Sequence, residues 1–170
     1  TSNPEYTEAH NNLGLILQNL GLMDEAIISY EKALAFKPDY IEAHNNLGNI
    51  LLELGQLDDA VKSYEKVIAI KPDYAEAHNN LGTTLQELEQ LDMAVKSYEK
   101  AIAIEPDYSK AHFNLGCTLL DLSQLDASTK SFEKALVIKP DYAEALNNLG
   151  NILRELGQLD MAAKNYKKAL

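Results

Sequence analysis

Residues 41–74 read IEAHNNLGNILLELGQLDDAVKSYEKVIAIKPDY, and residues 75–108 read AEAHNNLGTTLQELEQLDMAVKSYEKAIAIEPDY. The two stretches share one 34-residue frame, and Pro4, Pro38, Pro72, Pro106 and Pro140 carry that spacing along the chain. Self-similarity at this period marks a stacked array, in which a single unit cannot bury its apolar face and its neighbours complete the core. A length of 170 residues would ordinarily suggest one globular domain. The repeat overrides that prior and predicts a single array over 1–170, with units at 7–40, 41–74, 75–108, 109–142 and a truncated 143–170. Such a stack presents a long regular surface and does not bring distant catalytic groups together.

Within residues 41–74 the apolar positions Ala43, Leu47, Ile50, Leu51 and Leu54 recur at three- and four-residue steps, which predicts a helix over 42–54. Gly55 interrupts it, as a helix-ending glycine does. Asp58 then opens a second run through Ala60, Val61, Tyr64, Val67, Ile68 and Ile70, well placed as a capping or first-turn acid. Lys71-Pro72-Asp73 ends that run, because the residue before proline avoids helical geometry. Each unit is therefore a helix, a short turn and an antiparallel helix, with no strand. Gly14, Gly48, Gly82, Gly116 and Gly150 fall in mid-helix, where glycine costs about 1 kcal/mol relative to alanine, so a partner helix is expected to cross there. Ala26, Ala60, Ala94, Ser128 and Ala162 are the matching small positions of the second helix.

The frame of Leu47-Gly48, Ala60, Tyr64, Val67 and Pro72 resembles the tetratricopeptide repeat, over essentially the whole chain. The resemblance implies an all-α, right-handed α-solenoid of five antiparallel helix-turn-helix repeats. It also implies that the first helix of each unit lines a concave groove. The departures are local. His10, His44, His78 and His112 replace the usual large aromatic, with Leu146 in the fifth unit; the turn glycine is lost at Glu89 and Ser123; and Ser128 stands for alanine. The third and fourth units are expected to be locally weaker.

Composition narrows the function. A net charge of −11 leaves no basic stripe for phosphate neutralisation, which argues against nucleic acid and anionic membrane surfaces and favours a neutral or basic partner. No stretch approaches the roughly 18 apolar residues of a membrane span. Cys117 is the single cysteine, so no intrachain disulfide forms, which fits a reducing, cytoplasmic location. It occupies the position of Leu15, Asn49, Thr83 and Asn151 and has no basic neighbour in sequence to activate it, so it reads as an ordinary substitution. Four histidines, one per unit, cannot converge on a zinc ion that needs each nitrogen within about 2.1 Å. Asp58 and Asp59 point to different faces of a helix and are no acid/base pair. The Lys62/Glu65/Lys66 pattern reads as exposed surface. With no phosphate-cradling loop, nucleophile elbow or metal motif, the chain reads as a non-enzyme with no cofactor and no metal.

Asparagine remains. Asn12, Asn46, Asn80, Asn114 and Asn148 precede Leu-Gly in every unit, and Asn11, Asn45, Asn79 and Asn147 precede four of those, with Phe113 in the fourth. Asn49 and Asn151 follow the glycine. Asparagine is a mediocre helix former, so its retention in mid-helix asks for a cause. One reading is a ladder that grips peptide backbone, since an amide carries donor and acceptor and units about 10 Å apart match about three extended residues. The other is that the amides bond only to neighbouring units and knit the stack together. The candidate peptide-binding set is therefore Asn11, Asn12, Asn45, Asn46, Asn49, Asn79, Asn80, Asn114, Asn148 and Asn151. By resemblance, the ladder is similar to the repeat region of O-linked N-acetylglucosamine transferases. It is unlike the lysine- and arginine-based carboxylate clamp, because the expected groove carries Glu8, Glu42, Glu76 and Glu144 with only Lys110 and Arg154 as basic residues.

The expected function is a scaffold that binds an extended peptide or flexible segment. The alternatives are the substrate-recruiting arm of a larger enzyme and a self-assembling module. Without an initiating Met and without a polar closing helix, the sequence reads as a piece of a longer chain. Pro4-Glu5-Tyr6 looks like the tail of a preceding unit, and self-association through the uncapped last helix is the accompanying expectation.

Overall fold

The computed structural model describes residues 4–170, of Pro4 the backbone alone. The described residues form ten helices and no strand: α1 (Pro4–Asn19), α2 (Met23–Phe36), α3 (Ile41–Glu53), α4 (Leu57–Ile70), α5 (Ala75–Glu87), α6 (Leu91–Ile104), α7 (Ser109–Asp121), α8 (Leu125–Ile138), α9 (Ala143–Glu155) and α10 (Leu159–Ala169). They belong to two compact bodies, Thr1–Leu88 with α1 to α5 and Glu89–Leu170 with α6 to α10. In each body the two helices of a repeat pair with one another, and the second helix of one repeat packs on the first helix of the next.

Pro4-Glu5-Tyr6 is not a tail. It forms the first turn of α1, where proline is tolerated because the opening N–H groups of a helix have no internal partner. Elsewhere the Lys-Pro-Asp-Tyr turn is built as expected, and its lysine lies over its tyrosine ring: Lys37 on Tyr40 at 5.1 Å, Lys71 on Tyr74 at 5.1 Å and Lys139 on Tyr142 at 4.6 Å. Asp58 is a first-turn acid, while the capping position belongs to Gln56, whose side chain makes no cap bond.

The mid-helix glycines receive an aromatic ring. A Cβ added at Gly48 would meet Tyr64 Cε1 at 2.7 Å, one at Gly116 would meet Phe132 Cε1 at 2.7 Å, and one at Gly150 would meet Tyr166 Cε1 at 2.7 Å. The ring comes from the second helix of the same repeat, and Tyr30, Tyr64, Tyr98 and Phe132 are fully buried. The core is a chain of such seams: in the first body Ala26, Tyr30, Ile50, Ala60 and Tyr64 cluster, and in the second Phe132, Ala145, Leu149, Ile152 and Ala162 do.

Gly21, Gly55 and Gly157 close their helices at φ +76°, +71° and +74°. Around Gly55 the bonds run from its N–H to Leu52 O (3.0 Å) and from Gln56 N–H to Leu51 O (2.8 Å), the double C-terminal closure that favours glycine. Glu89 and Ser123 adopt the same left-handed backbone at φ 58° and 59°, where a Cβ costs about 1–2 kcal/mol. The departure at Ser128 carries its own compensation, because the buried hydroxyl donates to Gly116 O at 2.7 Å.

Candidate functional site

Two asparagines adjacent in sequence have opposite fates. A helix turns about 100° per residue, so neighbours point to different sides. Asn11, Asn45 and Asn79 are buried, at 5%, 7% and 0% exposure. Asn45 gives its amide to Glu76 Oε1 at 3.4 Å, and its own carbonyl oxygen is buried with no hydrogen-bond partner. Asn79 donates to Asn80 Oδ1 at 3.2 Å. Asn147, at the same position in the last repeat, is exposed. The second row faces outward: Asn12 is exposed, and Asn46, Asn80, Asn114 and Asn148 are half-buried.

The outward row is tied from repeat to repeat. Asn46 Nδ2 donates to Asn11 Oδ1 at 3.0 Å, Asn80 Nδ2 to Asn49 Oδ1 at 3.1 Å, and Asn148 Nδ2 to Cys117 Sγ at 3.5 Å. The acceptor follows the residue one turn along the preceding repeat. Asn49 and Cys117 offer a lone pair there; Leu15 offers none, and Asn46 turns to Asn11 instead. Asn49 also accepts the Tyr64 hydroxyl at 2.7 Å, and Asn151 accepts that of Tyr166 at 2.8 Å. These hydroxyls were not among the residues singled out from sequence, although a tyrosine fifteen residues after each of Asn49 and Asn151 was the available signal. Asn49 thus joins its own Tyr64 to the next repeat's Asn80.

Each donating amide retains a second N–H, and each carbonyl has a second lone pair, so the bonds orient the row without exhausting it. Carboxylates flank it. Glu8, Glu42 and Glu144 are exposed and Glu76 is half-buried, with Glu76 also accepting the Tyr74 hydroxyl at 3.1 Å. Lys110 and Arg154 are exposed in the second body.

The remaining polar groups serve the frame. His44, His78 and His112 each bring Nε2 to the carbonyl of the proline six residues earlier, at 2.8, 3.0 and 3.0 Å. His10 stacks on Phe36, with ring centroids 5.8 Å apart. Among the described residues no three His, Cys, Asp or Glu side chains gather as a metal site would require. Burial pushes the Cys117 thiol up to about 11, helped by the Asp121 carboxylate and opposed by the Asn148 amide. A thiol held that high carries almost no thiolate near neutrality and is a poor nucleophile. Burial likewise raises Tyr30 to about 12.

Among the described residues no helix is long and apolar enough to cross a membrane. Models of the tetratricopeptide repeat match residues 23–55, 48–89, 75–108, 97–129 and 143–170. No curated protein matches the chain. Solved structures do. A crystal structure of MamA is 29% identical with a TM-score of 0.84, covering 92% of this chain and 91% of that one. TTC0263, a thermophilic TPR protein of Thermus thermophilus, is 26% identical with a TM-score of 0.76, covering 96% of this chain and 90% of that one. YrrB, described as a TPR protein with an unusual peptide-binding site, is 23% identical with a TM-score of 0.74, covering 94% of this chain and 82% of that one. With the helix pairs, the glycine–aromatic seams and these matches in agreement, the chain belongs to the tetratricopeptide repeat family.

Proposed function

We propose that the chain is a non-enzymatic protein–protein interaction scaffold in the cytoplasm, on which an extended peptide or flexible protein segment lies along the outward asparagine row of a body. The observation that carries this reading is the cross-repeat bonding of Asn46, Asn80 and Asn148. It holds each amide in one orientation while leaving an N–H and a carbonyl lone pair, and groups ordered in advance bind without an added entropic cost. An extended segment has unsatisfied backbone groups on alternate sides, and amides are their natural complement. Knitting the repeats and gripping a ligand are then two uses of one side chain. The buried Asn11 and Asn79 bond Asn46 and Asn80 from behind the row, and Asn49, itself held by Tyr64, accepts Asn80. The row for ligand contact is Asn12, Asn46 and Asn80 in the first body, and Asn114 and Asn148 in the second.

The flanking carboxylates Glu8, Glu42 and Glu76 favour a neutral or basic segment at the first body. The similarity in fold to YrrB, described as having a peptide-binding site, supports the class of partner. The test is selection from a random peptide library on the wild-type chain, followed by affinity measurement on the Asn12→Ala/Asn46→Ala/Asn80→Ala variant. Loss of at least tenfold in affinity with the helical signal intact supports the reading. Unchanged affinity with lowered thermal stability assigns the row to knitting alone.

A further inference from the structure

We propose that the furrow between α6, α7 and α8 docks a short acidic, amphipathic segment of a partner protein, with its apolar side chains in the furrow and its carboxylates on Lys130 and Lys134. This surface is separate from the asparagine row. A helix turns about 100° per residue, so His112, two residues before Asn114, lies on the far side of α7 from it. The three helices belong to one body, and the hollow they border measures about 330 Å³, at the lower end of the range of ligand sites.

Ile102 and Ala103 of α6 and Leu115 of α7 give the furrow an apolar floor. His112 stands beside them, its ring held where Nε2 meets Pro106 O at 3.0 Å. Lys130 and Lys134, one helical turn apart on α8, border the furrow and are both exposed. Glu99 of α6 is the one carboxylate among its lining residues. Among the described residues neither lysine makes an ion pair. Two ammonium groups without a counter-charge thus stand over an apolar floor, in a chain whose net charge is −11.

The corresponding furrow of the first body, between α2, α3 and α4, differs at one position. It has Glu31, Leu34, His44, Leu47, Lys62 and Lys66 in the same places. There Asp59 also lines the furrow and takes Lys62 in an ion pair at 2.7 Å. In the second body that position is Ala127, so the two lysines stand against Glu99 alone. The rim differs as well. Val137 is 77% exposed, where the other repeats carry Ala35, Ala69 and Ala103. It follows Lys134 by three residues and Lys130 by seven, which puts it on the same stripe of α8. Relative to the first body, that stripe has one carboxylate fewer and a larger apolar side chain.

These differences decide the occupant. A basic segment would be repelled by Lys130 and Lys134, and a purely apolar one would cover two ammonium groups without replacing their water. A segment that alternates carboxylates with apolar residues satisfies both the lysines and the floor. The lysine stems lie along apolar surface while their heads stay at its edge, within reach of those carboxylates. Complementary charge then guides the encounter and fixes the register, and an apolar stripe laid into a groove is a recurring mode of peptide recognition.

The test is selection on the whole chain from a library of short peptides rich in Asp, Glu, Leu and Phe. The affinity of a selected peptide is then measured for the wild type and for Lys130→Glu/Lys134→Glu, Val137→Asp, Lys62→Glu/Lys66→Glu and Asn12→Ala/Asn46→Ala/Asn80→Ala. The lysines and Val137 are exposed, so circular dichroism of those variants should match the wild type. The two lysine variants change the net charge equally and differ only in place. The expected result is at least a tenfold loss in Lys130→Glu/Lys134→Glu, a smaller loss in Val137→Asp, and affinity within twofold of the wild type in the other two. A library that yields no binder overturns the proposal, as does a peptide that binds Lys130→Glu/Lys134→Glu undiminished. An equal loss in Lys62→Glu/Lys66→Glu would overturn it in favour of general charge attraction, and a tenfold loss in the asparagine variant would overturn it by moving the peptide to the asparagine row.

Discussion

The two bodies share a repeat and differ in charge. The first holds five basic and fourteen acidic side chains, and the second ten basic and twelve acidic ones. Beside the asparagine row this becomes Glu8, Glu42 and Glu76 in the first against Lys110, Glu144 and Arg154 in the second. The seams, by contrast, are nearly identical: an aromatic ring sits on Gly48 and on Gly116 at the same 2.7 Å from an added Cβ. Packing is thus held constant while the surface is free to diverge. On the proposed function a basic segment is expected to bind the first body in preference to the second, since summed surface charge biases which partner arrives and where.

If the seams are equivalent, breaking one in either body should cost alike. Tyr64→Ala and Phe132→Ala each remove a fully buried ring and are expected to lose about 3–5 kcal/mol, read as a falling urea midpoint. A large loss at one and a small loss at the other would break the equivalence. Next in size is the turn. Ser123→Gly relieves a left-handed residue and should gain about 1 kcal/mol, while Gly55→Ala imposes one on the first body and should lose a similar amount, both measured by thermal unfolding. The hydroxyl of Tyr64 separates the bodies further. Tyr64→Phe leaves Asn49 with one donor fewer and should cost about 0.5–1.5 kcal/mol, and Phe132 is already without it.

An effect confined to alkaline pH belongs to the second body. Cys117 has its pKa raised from 9.0 to about 11 in the folded chain, so above pH 9 the unfolded chain loses a proton that the folded chain keeps. Stability from this group is constant below pH 9 and falls as the pH rises towards 11. Cys117→Ser should flatten that part of the pH profile, and an unchanged profile would place the slope with the tyrosines.

Helix limits, the turn glycines and the need for a close partner at the mid-helix glycines were legible because each follows from a local rule that recurs along the chain; that the partner is an aromatic ring of the same repeat was not. The row of Asn46 and Asn80 was legible as a row for the same reason. Which asparagine faces out was not, because one helical step separates Asn45 from Asn46 and the choice depends on how repeats pack. Nor was the acceptor of each amide: it switches with residue 15, 49 or 117, and only the packed neighbour decides which lone pair is in reach. Ser128 read as a weakness because its partner, the Gly116 carbonyl, is twelve residues away and visible only in the fold. Pro4-Glu5-Tyr6 read as the tail of a preceding unit from its spacing, whereas nothing in that spacing distinguishes a proline that follows a helix from one that opens it.

The outward asparagines are proposed to hold a peptide by its backbone. This is tested most directly by measuring, for one selected peptide, the affinity of the wild type and of the Asn12→Ala/Asn46→Ala/Asn80→Ala chain, with the same peptide N-methylated at every third residue as the second arm. At least a tenfold loss is expected from either change, and no further loss from N-methylation once the asparagines are gone. Full affinity in the variant, or a wild type that binds the N-methylated peptide as tightly as the unmodified one, would overturn the proposal.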